Sequence, residues 1–165
     1  MSTLILEDLS IKKLTSESAE ELSKLLLTND PEYSKYFIPF SFDLQTIKDR
    51  MENLKQDSFW GIFINYKLVG FYLLRGFDEG YEIPSYGVWI SKEFSGKGSS
   101  KLTLQHAISF CKLNHIGNLM LKVHPDNIIA KKIYERFGFH KSGIDPNNDN
   151  IIYHIKFSDK HNPEI

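Results

Sequence analysis

An apolar strand that leads through two glycines into a helix is the feature that most limits how this chain can fold. Residues 86–90 form an apolar run typical of a buried strand, and Gly96 and Gly98 follow in a short polar turn. Beyond the turn, apolar residues recur at helical spacing, at Leu104, Ala107, Ile108 and Cys111. The free N–H groups and the positive dipole end of such a helix start favour anions such as phosphate.

The side chains of this turn suit an anion but match no complete phosphate motif. Ser99 and Ser100 add hydroxyl donors, and the neighbouring lysines add positive charge. Gly98 stands where a Walker loop needs Ser or Thr, and Lys101 stands where a dinucleotide motif needs its third glycine. On spacing alone we therefore favour a structural role for the turn.

A second strand–turn–helix unit lies downstream. Residues 119–123 are predicted to form a strand that exits through His124, and Asp126 is predicted to cap a helix that ends at Gly138. One face of this helix carries an amide, a small residue, a phenol and a phenyl ring: Asn127, Ala130, Tyr134 and Phe137. That mixture is unusual for a face that only packs into a core.

Together the two stretches resemble the GNAT (Gcn5-related N-acetyltransferase) superfamily. Residues 95–100 resemble its Gln/Arg-x-x-Gly-x-Gly/Ala acetyl-CoA motif, with Ser95 in place of Gln or Arg and Ser100 in place of Gly or Ala. The second stretch resembles its Asn-x-x-Ala-x-x-x-Tyr-x-x-x-Gly-Phe motif, at Asn127, Ala130, Tyr134, Gly138 and Phe139. The order of the predicted elements agrees with the family over nearly the whole chain.

The resemblance implies an α/β fold in which acetyl-CoA binds between two strands. The sheet is expected to be mixed, mostly antiparallel and twisted, with helices on both faces. Strands four and five are expected to splay apart, and the pantetheine of acetyl-CoA to lie in this splay. The cofactor-binding residues implied in this way are Val88, Trp89, Ile90, Ser95, Gly96, Lys97, Gly98, Ser99, Ser100, Asn127 and Lys131.

The resemblance also implies direct acetyl transfer to an amine, without an acyl-enzyme. Tyr134 is the predicted general acid for the departing thiolate, because a phenol stays protonated at neutral pH. Glu82 is the predicted general base, with His124 as a titratable rival. Asp78 and Glu79 are further rivals, and a water relay without a dedicated base is also compatible with the sequence.

The periodicity of the remaining residues predicts a single domain over 1–165 with the order β-α-α-β-β-β-α-β-α-β-β. Ser18 and Glu21 resemble a capping box at the first helix, and Asp43 is the expected cap of the second. Between these helices, residues 31–42 contain five aromatic side chains and two prolines. In the family this region lines the acceptor site, so the predicted substrate-binding residues are Tyr36, Phe37 and Phe40.

Composition excludes several classes of function. A net charge of −1 argues against a nucleic-acid surface, and the chain has no apolar run of membrane-spanning length. The histidines show no metal-ligand spacing, so no metal site is expected. One cysteine excludes an internal disulfide, and without a signal peptide the expected location is cytoplasmic. Cys111 and His115 have the spacing of a nucleophile pair, but a core cysteine is the commoner explanation.

The favoured function is an acetyl-CoA-dependent N-acetyltransferase that acts on a small-molecule amine, with an amino sugar or sugar nucleotide as a candidate. One alternative is acetylation of protein N-termini, as in the ribosomal-protein enzymes of the family. A second is a non-catalytic acyl-CoA-binding module, and a third is a nucleotide-phosphate binder that uses residues 96–100. Because dimers are common in the family, the resemblance also allows a homodimer.

Overall fold

A computed structural model of the chain describes residues 3–37 and 39–157. The described residues form one seven-stranded sheet with the strand order β1-β2-β3-β4-β5-β7-β6. The strands are β1 (Leu9–Lys13), β2 (Ser58–Ile64), β3 (Lys67–Arg75), β4 (Ser85–Ile90), β5 (Asn118–Val123), β6 (His140–Ile144) and β7 (Ile151–Lys156). The helices are α1 (Ala19–Leu27), α2 (Leu44–Glu52), α3 (Ser99–Leu113) and α4 (Ile128–Arg136). The predicted element order and the mixed α/β class are confirmed.

The sheet is antiparallel except at its centre, where β4 and β5 run parallel. This parallel pair is a consequence of connectivity, because α3 provides the long crossover that parallel neighbours require. Both α3 and α4 therefore begin near the same edge of the sheet, where β4 and β5 end. The two predicted motifs are brought together at that edge.

Helices cover both faces of the sheet. On one face α1 and α2 pack against β2, β3 and β4 through residues such as Leu22, Ile47 and Phe71. On the other face α3 packs against β3, β4 and β5 through residues such as Leu104 and Tyr72. Phe71 and Tyr72 are adjacent in β3 and enter opposite cores, as the alternation of a strand requires. No helix in the described part of the chain is long and apolar enough to cross a membrane.

The helix starts confirm one predicted cap and correct two. Asp43 caps α2 by accepting the N–H of Thr46 at 2.9 Å. Ser18 makes no capping bond, because a 3-10 turn precedes α1 and Glu21 instead accepts the N–H of Leu68 at 3.1 Å. Asp126 is not the cap of α4 either, since that position belongs to Asn127, which is a predicted site residue.

Candidate active site

Strands β4 and β5 meet at one point and then separate. Their register contains a single pair, Ser85 with Met120, and the N–H of Met120 donates to the carbonyl of Pro84 at 3.0 Å. Both strands continue toward their carboxyl ends, β4 to Ile90 and β5 to Val123, with no further pairing between them in the described structure. The predicted splay between strands four and five is consistent with this geometry.

The backbone direction of β4 shows which groups face the splay. The N–H of Ser91, directly after β4, donates to the carbonyl of Val69 in β3 at 2.8 Å. The odd-numbered residues of β4 therefore direct their N–H and C=O groups toward β3. Val88 and Ile90 therefore direct their N–H and C=O groups toward β5, where no strand partner meets them. Such groups are costly to leave without a partner, so this edge is prepared to receive an extended ligand.

Trp89 does not belong to the set of residues that face the splay. It pairs with Phe71 of β3, and its indole is 4% exposed within the core beneath α1 and α2. The indole Nε1 donates to the hydroxyl of Ser34 at 3.0 Å. Trp89 thus supports β4 from the side of the sheet that α1 and α2 cover, and its contact with the cofactor stays a prediction.

The glycine turn has a conformation that glycine suits best. Gly96 has φ 75° and Gly98 has φ 84°, in the left-handed region that other residues avoid. A Cβ atom at either position would have no neighbour within 4 Å. Backbone conformation, and not lack of space, is therefore the reason that glycine suits these positions. The helix α3 begins at Ser99, directly after Gly98, and its first N–H groups have no carbonyl one turn earlier in the helix.

A buried hydroxyl pair fixes the start of α3 to β4. The hydroxyl of Tyr86 lies 3.1 Å from that of Thr103, and Thr103 also bonds the carbonyls of Ser99 and Ser100. Thr103 is fully buried. The sequence analysis missed this contact, because neither residue belongs to a motif and only the fold brings them together.

The helix α4 contributes Asn127, Lys131 and Tyr134. The side-chain oxygen of Asn127 accepts the N–H of Ala130 at 3.2 Å, which leaves its amide N–H₂ for a ligand. Lys131 is half-buried in the first turn. Tyr134 packs against Phe139, with ring centroids 5.9 Å apart, and burial raises the pKa of its phenol. A phenol with a raised pKa is a proton donor over the whole neutral range.

The predicted carboxylate bases are either exposed or bound to backbone groups of a turn. Glu82 is exposed in the turn before β4, and its role as a base stays a prediction. Asp78 accepts the backbone N–H groups of Lys55 and Gln56, at 3.0 and 2.7 Å, which gives it a structural role in a turn. Glu79 is exposed in the same 3-10 turn as Asp78.

His124 lies at the end of β5, but its orientation does not favour a base. Its Nδ1 accepts the N–H of Asp126 at 3.2 Å, which places the proton of the neutral ring on Nε2. The free ring nitrogen is therefore a donor. The ring of His124 stacks on Tyr36, with centroids 4.6 Å apart.

The three predicted acceptor-site residues occupy different environments. Tyr36 is 42% exposed beside His124. Phe37 is half-buried and lies against Gly87 of β4, where a Cβ atom would be 3.1 Å from its ring. Phe40 is buried in the core and stacks on Phe59, with centroids 5.9 Å apart. Tyr36 and Phe37 thus lie over the strands of the splay, whereas Phe40 packs beneath the loop as a core residue.

The same loop contains a residue that the sequence analysis did not select. The hydroxyl of Tyr33 donates to the carbonyl of Ile90 at 2.5 Å. This carbonyl faces the splay. The density of aromatic residues in 31–42 was a signal for the loop, but nothing in the sequence distinguishes Tyr33 from its neighbours.

A family profile confirms the assignment that this geometry indicates. The profile described as "Acetyltransferase (GNAT) domain" matches residues 8–140, which include both motifs and both strands of the splay. The chain belongs to the GNAT acetyltransferase family. This family uses acetyl-CoA.

Individual relatives include enzymes with different acceptors. A probable spermine N(1)-acetyltransferase from Bacillus subtilis subsp. natto (strain BEST195) is 29% identical over 120 residues, 66% of this chain and 79% of that protein. The PaiA N-acetyltransferase of Thermoplasma acidophilum, solved with coenzyme A, has a TM-score of 0.72 at 21% identity and covers 91% of this chain and 99% of its own. The ribosomal-protein-S5-alanine acetyltransferase of Vibrio fischeri has a TM-score of 0.77 at 16% identity, with 96% and 98% covered. At sequence identities of 21% and 16%, the similarity to these two solved structures shows the fold alone.

Cys111 is a core residue of this GNAT acetyltransferase. It is fully buried in α3, and burial raises the pKa of its thiol to about 11. His115 is exposed beyond the end of the helix. Within residues 3–37 and 39–157, no three His, Cys, Asp or Glu side chains are grouped so that they could hold a metal ion.

Proposed function

We propose that this acetyltransferase transfers an acetyl group directly from acetyl-CoA to the primary amine of a small molecule. The observation that carries the proposal is the splay, where the backbone groups of Val88 and Ile90 have no strand partner on β5. Bound acetyl-CoA supplies the activated thioester. The buried Cys111 supports direct transfer, because the only thiol of the chain is protonated at neutral pH and inaccessible.

The residues around the splay suit the separate parts of acetyl-CoA. The backbone groups of Val88 and Ile90 fit the amides of pantetheine, as one further strand in the sheet would. The glycine turn and the start of α3 fit the pyrophosphate, because free N–H groups and a helix N-terminus favour anions. Hydroxyls, lysines and one side-chain amide at both helix starts complete this surface: Ser95, Lys97, Ser99, Ser100, Asn127 and Lys131.

Tyr134 is the proposed general acid. Its ring lies between Tyr86 at the closed end of the splay and Phe139. Burial is the only cause of the raised pKa of Tyr134, with no contribution from a hydrogen-bond partner, so its proton can pass to a leaving thiolate. Burial raises the pKa of Tyr134, so the proton is present throughout the neutral range.

Water is the proposed route for the proton of the amine. The orientation of His124 places its own proton on the free nitrogen, and Glu82 is exposed to solvent in the turn before β4. We therefore propose that a chain of water molecules, and not either side chain, carries the amine proton from the acceptor side to bulk solvent. Glu82 can act as the final proton acceptor of such a relay.

A small acceptor is favoured over a protein N-terminus for two reasons. Tyr36 lies against His124 and Phe37 lies against Gly87, and these aromatic rings offer surfaces on which a small molecule can pack. The relative at 29% identity is named a probable spermine N(1)-acetyltransferase. Polyamines and amino sugars are therefore the first acceptors to examine.

The first experiment measures thermal unfolding of the protein with acetyl-CoA and with ADP. A ligand that binds only the folded state, at about 100 times its Kd, adds about 2.7 kcal/mol to the free energy of unfolding. We expect acetyl-CoA to raise the midpoint strongly and ADP to raise it little. The second step follows thiol release with spermine, spermidine, glucosamine, and peptides that begin with Ser or Ala.

Three results would argue against the proposal. An unchanged unfolding midpoint with acetyl-CoA would show that the protein does not bind this cofactor in the splay. Thiol release that depends on the peptides, and not on any small amine, would favour the protein N-terminal alternative. Acetyl-CoA binding without transfer to any amine would favour the non-catalytic binding module.

A further inference from the structure

Residues 31–37 form a strap that joins the two strands of the splay. On the β4 side, Tyr33 donates to the carbonyl of Ile90 at 2.5 Å, and Trp89 donates to Ser34 at 3.0 Å. On the β5 side, Tyr36 stacks on His124 at an interplanar angle of 27°. Three contacts within four residues thus connect the acceptor loop to both strands.

The contact of Tyr33 differs from the other two because it uses a group that faces the splay. The carbonyl of Ile90 points toward β5 and is one of the few backbone acceptors that β4 offers to an extended ligand. The same phenol neighbours the glycine turn: burial raises the pKa of Tyr33, and the hydroxyl of Ser95 partly offsets that rise. Tyr33 therefore lies where the pantetheine arm of acetyl-CoA would pass on its way from the turn into the splay.

We infer that Tyr33 is a positioning residue that couples the cofactor to the acceptor loop. In the free protein its hydroxyl occupies the Ile90 carbonyl, and when the cofactor binds, a pantetheine amide takes this carbonyl and Tyr33 withdraws. The inference rests on the proposed function, since it requires acetyl-CoA in the splay. Tyr36 and Phe37 follow Tyr33 in the chain, so the acceptor wall reaches its working position only after the cofactor is bound.

The substitution Tyr33→Phe tests the competition, because it removes the hydroxyl and keeps the ring that packs edge-on against Trp89 at 6.2 Å. Calorimetric titration compares CoA with adenosine 3′,5′-bisphosphate, the nucleotide part of CoA, which does not reach Ile90. We expect the variant to bind CoA about fivefold more tightly, the equivalent of one ordinary hydrogen bond. Its affinity for the bisphosphate should equal that of the wild type.

Trp89 gives an independent readout of the strap. The chain has two tryptophans, and Trp60→Phe leaves Trp89 as the only indole. Because the indole of Trp89 is bonded to Ser34, withdrawal of the strap should change its emission when CoA is added. The bisphosphate should cause no such change. Ser34→Ala is the matched control: it should shift the emission of the free protein and leave the Ile90 carbonyl occupied.

The outcomes separate this inference from the proposed function. If wild-type protein fails to bind CoA, the proposed function fails and the role of Tyr33 fails with it. If wild-type protein binds CoA but Tyr33→Phe binds it equally or more weakly, only the inference is overturned. A gain in affinity for CoA and the bisphosphate alike would also overturn it, because the effect would then arise outside the splay.

Discussion

The ring of Tyr134 meets the ring of Tyr86 edge-on, with centroids 6.4 Å apart and an interplanar angle of 82°. Tyr86 belongs to β4, close to the point where β4 and β5 stop pairing, and Tyr134 belongs to α4. The edge-on contact fixes the phenol of Tyr134 near the closed end of the splay. This is the position from which Tyr134 would act as the proposed general acid.

Tyr134→Phe is expected to lower kcat by roughly a hundredfold or more, the usual contribution of a positioned general acid. The ring contacts with Tyr86 and Phe139 are retained, so CoA binding and the unfolding midpoint should change little. Thiol release with an identified amine, together with calorimetry for CoA, measures the two effects separately. Equal loss of CoA affinity and kcat would assign Tyr134 to binding.

The pH profile of the wild type follows from the same residue. Burial raises the pKa of Tyr134, so its phenol loses its proton only above the ordinary tyrosine pKa of about 10. We therefore expect no alkaline decline in kcat from this group between about pH 7 and 10. A decline in that interval that is absent from Tyr134→Phe would show that the phenol has no raised pKa.

Gly98→Ala is expected to weaken CoA binding and to lower the free energy of unfolding by about 1 kcal/mol, because alanine is strained at φ 84°. Gly117→Ala is the matched control. The φ of Gly117 is not positive, and a Cβ atom there would meet no atom within 4 Å. Its substitution by alanine should therefore leave the free energy of unfolding and CoA binding unchanged. Urea denaturation and CoA titration of both variants measure the difference, and equal effects would show that the turn conformation is unimportant.

Thr103→Val is expected to destabilise the protein by about 1–3 kcal/mol, because it leaves the buried hydroxyl of Tyr86 without this partner. The double variant with Tyr86→Phe should cost less than the sum of the two single variants, since it removes both ends of the contact. A double-mutant cycle by urea denaturation measures this coupling. Additive costs would mean that the 3.1 Å contact contributes nothing to stability.

Asp43→Ala is expected to lower the unfolding midpoint at pH 7 and to have less effect in acid. Hydrogen bonds from the hydroxyl of Ser41 and from Thr46 lower the pKa of Asp43 to about 2. A carboxyl with a lowered pKa stabilises the fold above its unfolded value, about 3.9, and loses that effect as the pH falls toward its folded value. The difference in midpoint between wild type and variant should therefore shrink between about pH 5 and 2. A constant difference would show that the charge is not responsible.

The local patterns that the sequence predicted well are those with short-range causes. Helical spacing identified α3 and α4, alternation and apolar runs identified the strands, and the two glycines at positive φ coincide with the predicted turn. Of the three predicted helix caps, Asp43 was confirmed and two were wrong. Ser18 makes no capping hydrogen bond, and Asn127 caps α4 in place of Asp126. Several residues within one turn can each cap a helix, and tertiary contacts select among them.

The sequence by itself determined the element order, the two motifs and the family, because periodicity, glycine conformation and motif spacing are local properties of the chain. Only the tertiary structure decided that β4 and β5 pair at Ser85 and Met120 alone, which direction Trp89 and Ile90 face, and that Tyr33 reaches the Ile90 carbonyl. These contacts join residues up to 57 positions apart. Their formation depends on how the whole sheet twists and how the loop crosses it, and no short segment encodes that.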